Sequence, residues 1–165
     1  MPSKRYPTGV RNRALMRALY RGGLRCAEAL ALKTRDVQLA RNEIRVNAGK
    51  GDKDRVVWID AATVEILERW KLIRPRSEWF FCTLKGGQLD DGYVRAMVAR
   101  YGRRAGISVR AHPHILRHTF ATELLEDGYS VVEVQRLLGH EDLATTELYL
   151  HVADEGLRRR LLERD

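Results

Sequence analysis

The stretch HPHILRHTFATELLEDGYSVVEVQRLLGHEDLATTELYLHV, residues 112–152, decides the fold of this chain. Its apolar residues recur at the spacing of amphipathic helices, and it carries His114, Arg117, His140 and Tyr149 in that order. Residues three apart on a helix share a face, so the first imidazole and the guanidinium are expected to point the same way. A phenol that follows imidazoles and a guanidinium suggests phosphoryl chemistry on a phosphodiester.

Helix boundaries follow from the same stretch. Pro113 is tolerated in a first helical turn, so a helix is predicted over about residues 113–127. Ser130 and Glu133 have the spacing of a capping box, which starts a second helix. That helix is predicted to end at Gly139, which sets the following imidazole just beyond a helix C-terminus, where the helix dipole favours a positive charge.

Two strand-like runs lie upstream, at about residues 43–47 and 55–59, and a glycine-rich segment around Lys50 joins them. The glycines on either side of Lys50 allow close approach to a nucleic acid backbone. Further helices are predicted at about residues 8–21, 26–32, 61–72 and 90–104, with a short strand at 79–82. The first of these should bury a stripe formed by Ala14, Leu15, Ala18 and Leu19. The expected fold class is α+β, mainly α-helical with a small antiparallel β-sheet.

These motifs resemble the signature of the tyrosine recombinases, the phage-integrase-like family. The first arginine of that family lies in a G-L-R-x-x-E context, which occurs here as GLRCAE at residues 23–28. The family's lysine lies in a glycine-rich β-turn, which corresponds to Lys50. The resemblance runs from about residue 11 to residue 152 with the motifs in the family's order, and it implies the tyrosine recombinase catalytic-domain fold.

The resemblance also implies a reaction and a set of site residues. A family member cuts DNA by transesterification, forms a 3′-phosphotyrosine intermediate, and later rejoins the strand. By resemblance, Tyr149 is the nucleophile, Arg25 and Arg117 bind the scissile phosphate, and Lys50, His114 and His140 complete the site. No cofactor is expected, because the arginines take the electrostatic role that divalent ions fill elsewhere.

Elementary chemistry agrees with these implied roles. A phenol has a pKa near 10, so Tyr149 is a poor nucleophile until its proton is removed or its phenolate is stabilised. Guanidinium groups offset the repulsion between the phenolate and the anionic phosphodiester. Lys50 would protonate the departing 5′ oxygen, His114 would assist proton movement at the tyrosine, and His140 would hydrogen-bond a phosphate oxygen.

Metal binding is the competing interpretation of the same helix. His114 and His118 have the i, i+4 spacing of zinc-binding helices. However, Ile115 stands where that motif carries its catalytic glutamate, and Arg117 would repel a dication. No metal site is therefore expected.

Composition points to a nucleic acid partner, though less specifically. Thirty Lys and Arg residues against 22 Asp and Glu residues give a net charge of +8. Such a field attracts polyanions and makes their binding steeply salt-dependent, so double-stranded DNA is the expected partner. Basic stretches are found at residues 4–25, 50–55, 95–110 and 158–160.

The sequence gives no sign of a membrane or exported protein. No stretch is long and apolar enough to span a bilayer, and the N-terminal MPSKRYPTG lacks the apolar segment of a secretory signal. Cys26 and Cys82 lie in apolar surroundings that are typical of reduced core residues. We therefore expect a cytoplasmic protein with no membrane partner.

The 165 residues are enough for one domain with a core, and they contain no internal repeat. We expect a single catalytic domain over residues 1–165, with the family's N-terminal core-binding domain absent. Family members often pass the segment after the catalytic tyrosine to a neighbouring protomer. The resemblance therefore also implies self-association on DNA through the C-terminal tail.

Two functional classes remain open from the sequence. The first is a site-specific DNA recombinase or integrase that cuts and rejoins strands. The second is a non-catalytic or accessory DNA-binding module derived from a truncated recombinase. The full set of site residues favours the enzyme, because binding alone does not require Tyr149 together with Lys50.

Overall fold

The computed structural model describes residues 5–47, 54–109, 111–139 and 162 of the chain. Among the described residues, six α-helices, two short 3-10 helices and one small sheet confirm the mainly helical α+β fold. The helices are α1 (Pro7–Arg21), α2 (Cys26–Ala31), α3 (Ala61–Ile73), α4 (Asp91–Arg104), α5 (Pro113–Glu126) and α6 (Val131–Leu138). No helix in the described ranges combines the length and the apolar character needed to cross a bilayer.

The sheet has three antiparallel strands in the order β1-β2-β3. These strands are β1 (Val37–Gln38), β2 (Glu43–Val46) and β3 (Arg55–Trp58). Ile44 pairs with Val57, and Val46 pairs with Arg55. The two strands predicted on either side of Lys50 are confirmed as β2 and β3, each one residue shorter than predicted. The strand β1 is too short for an alternating pattern to reveal it.

The prediction of a strand over residues 79–82 is wrong. The first and last residues of this segment make only isolated bridges, to Lys33 and Gln88. Between them, Phe80 and Phe81 are both buried, with their rings edge to face and their centroids 4.9 Å apart. The apolar character of the segment thus reflects burial in the core, because no strand in the described part of the chain pairs with it along its length.

The core is organised around α1. This helix packs against both α3 and α5, and its predicted inward stripe of Ala14, Leu15, Ala18 and Leu19 is fully buried. A second apolar cluster, which includes Phe120, lies between α5 and α6. Burial of such apolar surface is the main favourable term in folding, so α5 and α6 are held to the rest of the domain by packing.

The helices α5 and α6 agree closely with the predicted boundaries. Pro113 occupies the first turn of α5, and the helix ends at Glu126, one residue before its predicted end. The Oγ of Ser130 accepts a hydrogen bond from the N–H of Glu133 at 3.3 Å, and the N–H of Ser130 donates to the Glu133 carboxylate at 2.7 Å, which confirms the capping box. Gly139 follows α6 with φ +67°, the predicted left-handed stop.

The loop between α1 and α2 passes very close to the end of α6. Gly23 in this loop has φ +57°, and a Cβ atom there would lie 2.6 Å from Cδ2 of Leu138 and 3.0 Å from Cδ1 of Phe120. Only glycine fits both the backbone conformation and the space. This close approach brings Arg25, two residues further along, beside the end of α6.

Candidate active site

Arg25 caps the start of α2 and points towards the end of α6. Its backbone N–H donates to Oε2 of Glu28 at 2.7 Å, and its Nη1 donates to Oε1 of the same carboxylate at 3.0 Å. Its Nη2 donates to the carbonyl oxygen of Gly139 at 3.2 Å. The side chain is 30% exposed, so protein groups orient this guanidinium while part of the side chain remains at the surface.

Arg117 lies deeper, on the inner side of α5, and is 5% exposed. Its Nη1 donates to the carbonyl oxygen of Gly23, and its Nη2 donates to the carbonyl oxygen of Leu138 at 2.7 Å. The same Nη1 lies 3.9 Å from Oε2 of Glu28. Arg25 and Arg117, which we call the arginine pair, therefore meet one carboxylate and both contact the backbone at the end of α6.

Glu28 is the carboxylate that these arginines share. Arg55, the first residue of β3, donates Nη1 to Oε1 at 2.8 Å and Nη2 to Oε2 at 2.7 Å, in a two-pronged ion pair. Burial acts to raise the pKa of Glu28, but hydrogen bonds from Arg55 and from the Arg25 backbone, together with the charges of Arg55 and Arg117, outweigh burial and lower that pKa. The carboxylate is therefore ionised at neutral pH.

The arginine cluster, defined as the arginine pair together with Glu28 and Arg55, has an excess of positive charge. Three guanidinium groups face one carboxylate, so positive side chains outnumber negative ones within the cluster. Two unit charges about 4 Å apart interact by roughly 4 kcal/mol at an effective dielectric constant of 20. The cluster is thus suited to bind an anion such as a phosphodiester at its exposed edge.

His114 lies at the start of α5, one turn before Arg117, but in a different environment. Its side chain is exposed, whereas that of Arg117 is buried. Its ring centroid lies 6.1 Å from that of His112, with the rings tilted by 59°. An exposed imidazole at this position is accessible to a substrate docked on the surface. Among the described residues, no group of three or more His, Cys, Asp or Glu side chains is placed to hold a metal ion.

Cys26, which follows Arg25, is a buried free thiol. Burial and a hydrogen bond to Asp91 raise its pKa to about 12, against the weaker influence of Arg95. The pKa of Asp91 is lowered, first by the Cys26 thiol, against a smaller effect of burial, and then by Arg95 and His114. A thiol with so high a pKa is protonated and unreactive at neutral pH, consistent with a reduced core residue.

The other predicted site residues, Lys50, His140 and Tyr149, lie outside the described residues. In the sequence, Lys50 falls between β2 and β3, and His140 directly follows Gly139. The structure thus brings together the two predicted arginines and shows the chain on either side of the predicted lysine.

Sequence reasoning missed the central part that Glu28 and Arg55 play in this cluster. The signal for Arg55 is its position in the alternating strand, because residues 55, 57 and 59 share one face. Val57 and Ile59 on that face are buried, so an arginine in line with them requires a buried partner. The signal for Glu28 is weaker, since a carboxylate three residues after a helix start is common in capping boxes.

Comparison with known proteins identifies the class of protein to which this fold belongs. The sequence model of the phage integrase family matches residues 2–156, and the chain belongs to this family. The tyrosine recombinase XerC of Actinobacillus pleuropneumoniae serotype 7 (strain AP76) is 38% identical over 157 residues, which cover 93% of this chain and 51% of the relative.

Solved structures support the same assignment. The crystal structure of XerA recombinase matches with a TM-score of 0.81 and 31% identity, over 96% of this chain and 58% of the other. The XerH site-specific recombinase, in a pre-cleavage complex with its difH substrate, matches with a TM-score of 0.79 and 34% identity, over 90% of this chain and 45% of the other. The predicted tyrosine recombinase catalytic-domain fold is confirmed, and the chain spans about half the length of the curated relatives it matches.

Proposed function

We propose that this chain is the catalytic domain of a site-specific DNA recombinase that acts in the cytoplasm and cuts and rejoins DNA through a 3′-phosphotyrosine intermediate. The main observation behind the proposal is the convergence of Arg25 and Arg117 on one end of α6, where three guanidinium groups surround the carboxylate of Glu28. Membership of the phage integrase family supports the same reaction.

The arginine pair binds the scissile phosphate. Arg25 uses its exposed edge, because each guanidinium can donate to two non-bridging oxygens through a planar fork. Arg117 lies beneath it and stabilises the negative charge that builds up on the phosphate in the transition state. Because the cluster is fixed by hydrogen bonds before substrate arrives, little reorganisation is needed during reaction.

The remaining roles complete the reaction. Tyr149 attacks the phosphorus, and the bond from phosphorus to the 5′ oxygen breaks. Lys50 protonates that 5′ oxygen, His114 assists proton movement at the tyrosine, and His140 hydrogen-bonds a phosphate oxygen. A 5′ hydroxyl later attacks the phosphotyrosine, which restores the phosphodiester and frees the phenol.

Double-stranded DNA is the proposed substrate and partner. The net charge of +8 favours a polyanion, and α4 exposes Arg95, Arg100 and Arg103. The XerH relative is a DNA complex, which supports the same class of ligand. Self-association on DNA through the segment after Tyr149 is part of the proposal, and it follows from the family resemblance.

Nicked suicide DNA substrates, which lose the religating strand, test the proposal directly. We expect a covalent protein–DNA adduct on denaturing gels that Tyr149→Phe abolishes. The matched control is Tyr129→Phe, which alters an exposed tyrosine before α6 and should leave the adduct intact. If DNA binding is salt-sensitive but no adduct forms on a randomised target pool, the non-catalytic DNA-binding module is the better description.

A further inference from the structure

Arg55 makes the most complete ion pair in the described part of the site. Both of its terminal nitrogens donate to Glu28, at 2.8 and 2.7 Å, and the two side chains are 9% and 11% exposed. Among the described residues, its buried Nε has no hydrogen-bond partner. Replacing a buried ion pair by well-packed apolar residues is often neutral or stabilising, so stability alone does not explain this arrangement.

Arg55 also supports the turn that ends α6. A Cβ atom on Gly139 would lie 3.0 Å from Cδ, 3.2 Å from Nη1 and 3.3 Å from Nε of Arg55, so the glycine backbone rests against the arginine side chain. The carbonyl oxygen of Gly139 accepts from Arg25, and His140 is the next residue in the sequence. A single side chain on β3 therefore contacts both the carboxylate and the backbone that Arg25 contacts.

The ion pair between Arg55 and Glu28 also affects whether the arginine pair interacts with Glu28 or with a phosphate. Because Arg55 occupies both oxygens of Glu28, the carboxylate is largely neutralised from the β3 side. Arg117 stays 3.9 Å from Glu28 Oε2, longer than a direct hydrogen bond. Without Arg55, the buried carboxylate would draw Arg117 into a closer pair and away from a phosphate.

We propose that Arg55 is a positioning residue for the arginine pair. Arg55 holds Glu28 and the Gly139 turn in place. Through these two groups it fixes Arg25 and Arg117 in positions where both can bind a phosphate. Arg55 itself does not contact the DNA. The inference rests on the proposed function, because it takes the arginine pair to be the phosphate site.

Single-turnover cleavage of a suicide substrate tests the inference. Arg55→Met should lower the cleavage rate by about 100-fold, because a misplacement of substrate-binding groups by about 1 Å can cost that much. Arg55→Lys should remain impaired, because an ammonium cannot replace the two-pronged pair. The matched control is Arg21→Met, since Arg21 also pairs with a carboxylate, Glu123, at 3.0 Å and also has a buried, unpartnered Nε among the described residues.

The control separates positioning from stability. Thermal unfolding should show a larger loss for Arg55→Met, whose ion pair is buried, than for Arg21→Met, whose pair is about one-third exposed. At a temperature where both variants are folded, only Arg55→Met should lose cleavage. If the two variants lose cleavage in proportion to their loss of stability, Arg55 is merely structural and the inference is overturned.

A double-mutant cycle tests the route through Glu28. In a Glu28→Gln background, Arg55→Met should reduce cleavage by less than about threefold, because residues that act through one another are not additive. A further loss as large as in the unmodified background would show that Arg55 acts independently of Glu28, against the inference.

A crystal structure of the Arg55→Met variant gives a readout that does not depend on activity. We expect Arg117 to move towards Glu28 and close the 3.9 Å gap, and the Gly139 turn to shift with Arg25. Unchanged positions would overturn the inference. If the unmodified protein forms no adduct, the proposed function fails and this structure alone decides the inference; if it cleaves and Arg55→Met cleaves equally well, only the inference fails.

Discussion

At the scale of single residues, the site depends on the ionised carboxylate of Glu28. Buried carboxylates are rarely tolerated without partners, and here the partners come from three separate parts of the chain: Arg25, Arg55 and Arg117. Removing the charge would leave Arg55 buried without a counter-ion. Glu28 is therefore important for stability as well as for the orientation of the arginines.

Glu28→Gln should lower the free energy of unfolding by about 3 kcal/mol at pH 7, because it leaves buried guanidinium charge uncompensated. The pKa of Glu28 is lowered in the folded state, so its contribution is present above the ordinary glutamate pKa and is lost as the pH falls through the lowered value. The difference in the free energy of unfolding between unmodified protein and variant should therefore become smaller below about pH 4. Urea unfolding at a series of pH values measures this.

Glu68→Gln is the control for that experiment, because Glu68 is exposed on α3. This substitution should change the free energy of unfolding by no more than about 0.5 kcal/mol, as is usual for surface substitutions. The assigned ion pairs would be contradicted if the difference in the free energy of unfolding between Glu28→Gln and unmodified protein stayed constant down to acid pH.

At the scale of secondary structure elements, the end of α6 is the element that assembles the site. The carbonyl group of its last residue accepts a hydrogen bond from Arg117, and that of Gly139, which follows the helix, accepts one from Arg25. The same turn packs on Arg55. Carbonyl groups at a helix C-terminus lack partners within the helix, so arginine side chains are favourable ligands for them. Three arginines from three elements thus fix one helix end.

Gly139→Ala should damage this arrangement in two ways. A non-glycine residue at φ +67° costs about 1 kcal/mol, and the new Cβ atom would press on Arg55 at 3.0 Å. Gly106→Ala is the matched control, because Gly106 has φ +71° and no atom of the described residues lies within 4 Å of its Cβ position. Chemical denaturation should show a similar backbone cost in both variants, with an added loss of stability and of cleavage only for Gly139→Ala. Equal behaviour of the two variants would argue against the role of this turn.

The elements also show how far the sequence could predict the structure. Helix boundaries are predicted well because caps such as Ser130 and stops such as Gly139 act within one turn. The strand over residues 79–82 is wrong because an apolar run indicates burial and does not say whether a neighbouring strand is present. The ion pair between Glu28 and Arg55 depends on how α2 docks against the sheet, which no local pattern reports.

At the scale of the whole molecule, net charge should govern DNA binding. The logarithm of the binding constant should fall linearly with the logarithm of salt concentration, because phosphate contacts release counterions. Arg103→Gln, on the exposed basic side of α4, should reduce the slope by about one. Arg69→Gln on α3 should change it less, since Arg69 is already paired with Glu65 at 2.5 Å. Fluorescence anisotropy at several salt concentrations would measure the slope for both variants. Equal slopes for Arg103→Gln and Arg69→Gln would contradict a place for α4 in the DNA-binding surface.

We propose above that the arginine pair binds the scissile phosphate. The most direct test is the single-turnover cleavage rate of Arg25→Lys on a suicide substrate, with Arg21→Lys as the control for loss of a partly exposed arginine. A lysine keeps the charge but cannot donate through a planar fork, so we predict a loss of about 100-fold or more for Arg25→Lys and a near-normal rate for the control. A near-normal rate for Arg25→Lys, in a protein that still forms the adduct, would contradict the account.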